Sequence, residues 1–208
     1  GLIWVRSGKQ IWMVNPRNFI FTPISYEGSN GFYGNSGIWL KKDASGNIFL
    51  LITDKSCQYY SEKNGRFSQA HNPFSIPAHL KIQDVVEDEG KKRFWIVSRE
   101  DFGYWDRRTR QYYNLSNNGQ ADYLLKAMTG YAPVASFFID NQKRYWIQAG
   151  SKSNTSFLCY NSVLNRFTSD TSGLNSMGKG SYFEVYGFKQ LKEGAPALYG
   201  LNCFRILG

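Results

Sequence analysis

The chain has 208 residues, 42% hydrophobic and 17% aromatic, with 25 Lys and Arg against 16 Asp and Glu, a net charge of +9. That is enough chain for a sizeable core, and no run of apolar residues is long enough to cross a membrane as a helix. The positive residues are spread along the whole sequence without a stripe or a recognition motif, which argues against a nucleic-acid partner through this segment.

In chain order, the first predicted strand carries Trp4, the second ends at Val14-Asn15, and the third carries Phe21. After a connection over 24–37, an alternating strand runs from Gly37 to Asp43 and a turn follows (Asp43-Ala-Ser-Gly-Asn). Strands then carry Phe49, end at Tyr60-Ser61, and carry Phe67. The same order returns with Ile82–Asp88, Trp95, Trp105-Asp106 and Tyr112, and again with Ala135–Asp140, Trp146, Tyr160-Asn161 and Phe167. A last group is looser, with Phe183–Phe188, Leu198 and a strand start at Cys203–Leu207. One helix is predicted over Ala121–Met128, closed by Gly130, and it is expected to decorate the outside of the domain.

The anchors at 4, 49, 95, 146 and 198 are separated by 45, 46, 51 and 52 residues. A period of this length built from short strands predicts an all-β propeller, one four-stranded antiparallel blade per repeat. Each blade has strands a, b, c and d, with the anchor on b. The aromatic anchors Trp4, Trp95 and Trp146 are assigned to packing between blades. We expect a single propeller domain over 1–208, with blade segments at 1–24, 37–69, 81–114, 133–169 and 182–208. Three of these are complete and both ends are cut within a blade. A piece of a larger propeller is the expectation; a distorted self-contained ring and a domain-swapped oligomer are the alternatives.

Function is then sought in the loops. The b–c loops carry Arg6, Lys9, Lys55, Arg99 and Lys152, which on a propeller share one face and suit an anionic ligand, although Asp54, Glu100 and Asp101 dilute the field. The long d–a connections hold Tyr26, Phe32, Tyr33, His71, Phe74, Tyr123 and Tyr131, aromatics suited to stacking on a ligand; Tyr33 and Tyr131 are the candidates taken from this group. Catalytic patterns are lacking. His71 and His79 do not have metal-ligand spacing, and there is no nucleophile elbow or phosphate loop. Asp43, Asp88 and Asp140 recur at equivalent turns and read as structural, though a carboxylate-pair glycosidase stays open as the alternative. Cys57 and Cys159 fall in strand c and read as small buried hydrophobes, and with Cys203 they have no metal spacing. No cofactor and no metal are expected.

The segment Phe137-Phe138-Ile139-Asp140 through Tyr145-Trp146-Ile147, Tyr160-Asn161 and Phe167 resembles the two-component regulator propeller repeat. Asp88 through Trp95-Ile96, Trp105-Asp106 and Tyr112 resembles it equally, and Gly1–Val5 with Val14-Asn15 matches its second half. Arg6-Ser7, Val97-Ser98 and Gln148-Ala149 stand where the family has Gly-Thr, and Phe49 replaces one Trp. The resemblance implies the periplasmic sensor region of a Bacteroidetes hybrid two-component histidine kinase. It also implies an oligosaccharide ligand, anionic or neutral, a homodimer in the full-length protein, and a membrane anchor and kinase elsewhere in it. The other readings are a propeller carbohydrate-active enzyme and a protein-interaction scaffold.

Overall fold

The computed structural model describes residues 1–28, 37–131, 133–151 and 154–167, and the backbone of three later strands. The chain divides into two compact units, Gly1–Ser75 and Ile76–Gly208.

The first unit contains an antiparallel meander of β1 (Ile3–Ser7), β2 (Gln10–Asn15) and β3 (Ile20–Tyr26). It also contains an antiparallel sheet of β4 (Ile38–Lys42), β5 (Ile48–Ile52), β6 (Ser56–Ser61) and β7 (Arg66–Ser68). A short parallel pairing of Ser25-Tyr26 with Arg66-Phe67 joins the two into seven strands, ordered β1-β2-β3-β7-β6-β5-β4. Strand β5 is almost wholly apolar because it is buried on both faces, and Leu50 and Ile52 join Ile11, Ile24, Tyr26, Ile38 and Phe67 in the core. Trp4 is half-buried and packs edge-on against Tyr60 at 4.7 Å and Phe67 at 5.6 Å.

The second unit contains two four-stranded antiparallel sheets. One is β8 (Ile82–Asp88), β9 (Arg93–Ser98), β10 (Phe102–Asp106) and β11 (Gln111–Asn114). The other is β12 (Val134–Ile139), β13 (Arg144–Ser151), β14 (Asn154–Asn161) and β15 (Arg166–Phe167). A three-stranded sheet follows, β16 (Val185–Gln190), β17 (Pro196–Gly200) and β18 (Cys203–Ile206). The chain is all-β and propeller-like in its sheets. The repetition extends to a detail: the first strand of each of these three sheets carries a register shift near its start, at Ile82/Asp84, Val134/Ser136 and Val185/Gly187. Such bulges bend a strand and add twist.

Anchors Trp95 and Trp146 are buried, 0% and 1% exposed. Trp95 stacks on Phe102 at 4.9 Å and meets Phe137 of the next sheet at 5.1 Å, contacts that supply about 0.5–1.5 kcal/mol per aromatic pair beyond burial. Cys57 and Cys159 are buried, each 0% exposed. The predicted helix is shorter than expected, α1 over Tyr123–Ala127, and it does not decorate the surface. Leu124, Leu125 and Met128 are buried in the same cluster as Trp95 and Phe137. A helix of this length is stable only through such packing and its cap.

The turn aspartates are buried and occupied by their own turns. Asp43 accepts from the backbone N–H and side-chain amide of Asn47 at 2.8 and 2.9 Å. Asp140 accepts from the backbone of Gln142 and Arg144, from Arg144 Nε at 2.7 Å and from Trp146 Nε1 at 3.0 Å. Asp88 accepts from Lys91 N, Arg93 Nε and the Tyr145 hydroxyl. The recurrent Asp therefore stabilises a tight turn and, in the third and fourth repeats, ties it to a basic or aromatic side chain of the neighbouring strand.

Candidate ligand-binding cleft

The β9–β10 loop and the connection from β11 to β12 enclose a cleft of about 290 Å³ in the second unit. Arg99, Glu100, Asp101 and Phe102 form one wall; Leu115, Met128, Tyr131, Pro133 and Val134 form the other. The floor is apolar and the charged groups sit on one side. This is the usual composition of a small-molecule site, near the lower end of the volume range.

The charged wall is built rigidly. Ser98 Oγ donates to the Asp101 carbonyl at 2.9 Å and accepts from Asp101 N at 2.8 Å. Arg99 N donates to the Lys81 carbonyl at 3.2 Å, and Lys81 N donates to Glu100 Oε2 at 3.0 Å. The Asp101 carboxylate accepts from Phe102 N at 2.8 Å, Asn114 Nδ2 at 2.6 Å and the Tyr112 hydroxyl at 3.1 Å. Burial and the Asp101 charge push the Tyr112 phenol well above its ordinary range, so it remains a donor at all physiological pH values. Gly103 makes this arrangement possible: a Cβ there would collide with the Tyr113 carbonyl and lie 2.7 Å from the Tyr112 hydroxyl.

The opposite wall is held from α1. Asp122 caps the helix, its Oδ1 accepting from Leu124 N at 2.9 Å and Leu125 N at 3.1 Å. Its Oδ2 accepts from Arg93 Nη1 at 2.5 Å. The Arg93 guanidinium lies over the Trp95 and Tyr104 rings at 4.3 and 4.5 Å and reaches the Tyr145 hydroxyl at 3.3 Å. Burial works against its charge, but Asp122, Tyr145 and Asp88 more than offset this and raise its pKa. Met128 follows α1 into the cleft, and Tyr131 N donates to the Met128 carbonyl at 2.9 Å. Tyr131 is 37% exposed at the rim, its ring 6.0 Å from Phe167.

Of the residues nominated from sequence, Arg99 and Tyr131 line this cleft together. Arg6, Lys9 and Lys55 belong to the first unit. Arg6 is exposed, with its guanidinium 6.0 Å from the Trp39 ring centroid. Lys9 is in the β1–β2 turn and its carbonyl accepts from Tyr26 at 3.0 Å; Lys55 is in the β5–β6 turn. Tyr33 and Lys152 lie outside the described residues. Tyr26 and Phe74, read as loop aromatics, are buried, 6% and 5% exposed. Among the described residues no group of His, Cys, Asp and Glu could hold a metal ion. Sequence reasoning did not nominate Phe102, Leu115, Met128 or Val134, which as apolar residues read as core. The one available signal was the apolar face of the predicted helix, continued to Met128.

No family model and no curated protein matches the chain. Solved structures do. The extracellular domain of BT4673 from B. thetaiotaomicron, described as a one component system, aligns with a TM-score of 0.59 and 14% identity, covering 99% of this chain and 26% of that one. The extracellular domain of the B. thetaiotaomicron hybrid two component system BT3049 aligns with a TM-score of 0.58 and 14% identity, over 99% and 25%. YCF48 from Cyanidioschyzon merolae aligns with a TM-score of 0.58 and 11% identity, over 98% and 64%. The protein therefore has the propeller-like all-β fold of these proteins. More particularly, it is similar in structure to extracellular domains of B. thetaiotaomicron hybrid two component systems, of which it spans about a quarter of the length.

Proposed function

We propose that this chain is part of the extracytoplasmic sensor region of a two-component signalling protein and that the Arg99–Tyr131 cleft takes its small-molecule ligand, a glycan breakdown product. The observation that carries the reading is the fold similarity to extracellular domains of such systems over 99% of the chain. The apolar floor edged by Arg99, Glu100 and Asp101 supports a ligand that presents a ring face and several polar groups. In this reading the segment performs no chemistry; its recurrent aspartates are occupied in their turns. Signal passes to a dimeric partner by rigid-body movement.

The test is a thermal-shift and calorimetric screen of neutral and acidic oligosaccharides against the complete extracellular region. A specific ligand at a hundred times its Kd stabilises the fold by about 2.7 kcal/mol. A complete extracellular region that binds none of them overturns the glycan reading.

A further inference from the structure

Strands β9 and β13 repeat one arrangement: an arginine opposite the turn aspartate, and a tryptophan two residues on. In the β12–β15 sheet, Asp140 Oδ2 accepts from Arg144 Nε at 2.7 Å and from Trp146 Nε1 at 3.0 Å. A carboxylate oxygen has two lone pairs, so these two donors fill it. In the β8–β11 sheet, Asp88 Oδ2 again accepts from the arginine, Arg93 Nε at 3.2 Å. Its second place is taken by the hydroxyl of Tyr145, from the neighbouring sheet. Trp95 is 0% exposed, and among the described residues its Nε1 has no hydrogen-bond partner. Each arginine lies over the ring of its own tryptophan, at 4.3 and 5.3 Å, so the two sites share a framework. They differ in the neighbour: the residue of the last repeat that corresponds to Tyr145 is Ala197, which has no hydroxyl to offer Asp140.

Beside Arg93, Asp88 Oδ2 thus has two aromatic donors to choose from and room for one. With Tyr145 bound, the Trp95 N–H is the buried donor without a partner; with Trp95 bound, the Tyr145 O–H would be. Each arrangement leaves one donor unsatisfied, so neither carries a penalty that the other escapes. Arg93 Nη2 also reaches the Tyr145 hydroxyl oxygen, at 3.3 Å. We infer that Asp88 is the moving part of a two-position switch between the sheets: its Oδ2 passes from the Tyr145 hydroxyl to Trp95 Nε1, the bond that its counterpart Asp140 makes. In the first position a hydrogen bond ties the two sheets. In the second that tie is released, while the buried Asp88–Arg93 pair stays intact. Phe102 of the cleft stacks on Trp95 at 4.9 Å, which gives a ligand on that floor a way to select the position. This link to the cleft rests on the proposed function; the switch itself does not.

The experiment is NMR relaxation dispersion on the protein without added ligand, isotope-labelled at tryptophan Nε1 and aspartate Cγ. Trp95 Nε1 and Asp88 Cγ are expected to exchange at one common rate, with Trp146 Nε1 and Asp140 Cγ silent. Tyr145→Phe deletes the hydroxyl and keeps the ring. It should abolish the exchange and move the Trp95 indole proton downfield, to the shift of the minor state in the unaltered protein. The switch is overturned if Trp95 and Asp88 show no exchange or exchange at unrelated rates, which the unaltered protein decides even if the variant does not fold. It is also overturned if Tyr145→Phe folds with the Trp95 indole resonance unmoved.

Discussion

The Arg93 guanidinium and the Asp122 carboxylate meet at 2.5 Å with side chains 5% and 11% exposed, 29 residues apart in sequence. The pair joins the first residue of β9 to the cap of α1, and Met128 at the end of α1 lines the cleft. The pair therefore ties the strand that carries Trp95 to the helix that leads into the cleft wall.

Removing Asp122 leaves a buried cation short of a partner. Asp122→Ala is expected to destabilise by about 2–4 kcal/mol, about 1–3 kcal/mol from the unpaired Nη1 of a guanidinium that keeps Asp88 and about 1 kcal/mol from the lost cap. Asp122→Asn keeps the cap and separates the two contributions. Urea unfolding of both variants measures them; losses under about 1 kcal/mol in each would show that the pair is not buried in solution.

Tyrosine ionisation sets an alkaline limit. Burial, with nearby Asp122 and against the opposing charge of Arg93, pushes Tyr104 and Tyr160 up to about 12 from an ordinary 10.0. As pH rises past 10 the unfolded chain releases protons that the fold retains. The stability from these groups is thus complete below about pH 10 and lost as pH approaches about 12. Phenolate absorbance that rises in step with unfolding would bear this out; ionisation of all tyrosines near pH 10 in the folded protein would sink it.

At Gly103 even a methyl group is too large, since backbone and the Tyr112 ring occupy its place. Gly103→Ala should cost about 1–3 kcal/mol and break the Tyr112–Asp101 hydrogen bond. A lowered melting temperature together with altered Asn114 amide shifts is the expected signature; an unchanged melting temperature would contradict the close approach.

The cleft residues are separable from the fold. Arg99→Ala and Tyr131→Ala are both at exposed positions and should leave stability within about 0.5 kcal/mol. Either change should weaken a ligand held in the cleft about tenfold, and Lys55→Ser should not. Calorimetry with the ligand found by screening decides, and equal effects of all three would place the ligand elsewhere.

Much of this fold was legible from spacing. Strand pairs around Phe49, Trp95 and Trp146 follow from alternation, and the turn aspartates announce where strands reverse, because their side chains satisfy local N–H groups. The cleft was legible only at Arg99 and Tyr131, whose residue types stand out in loops. Phe102, Met128 and Val134 have the same character whether they fill a core or floor a cleft, and α1 read as an ornament because its burial depends on neighbours distant in sequence.

By itself the sequence determined the repeat, the antiparallel hairpins within each repeat and the turns between strands, all governed by contacts among residues a few positions apart. Only the tertiary structure decided that Arg93 is buried against Asp122, that the β11–β12 connection walls a cleft, and that β3 pairs in parallel with β7. These depend on which surfaces lose water when separate elements pack, a property no local pattern encodes.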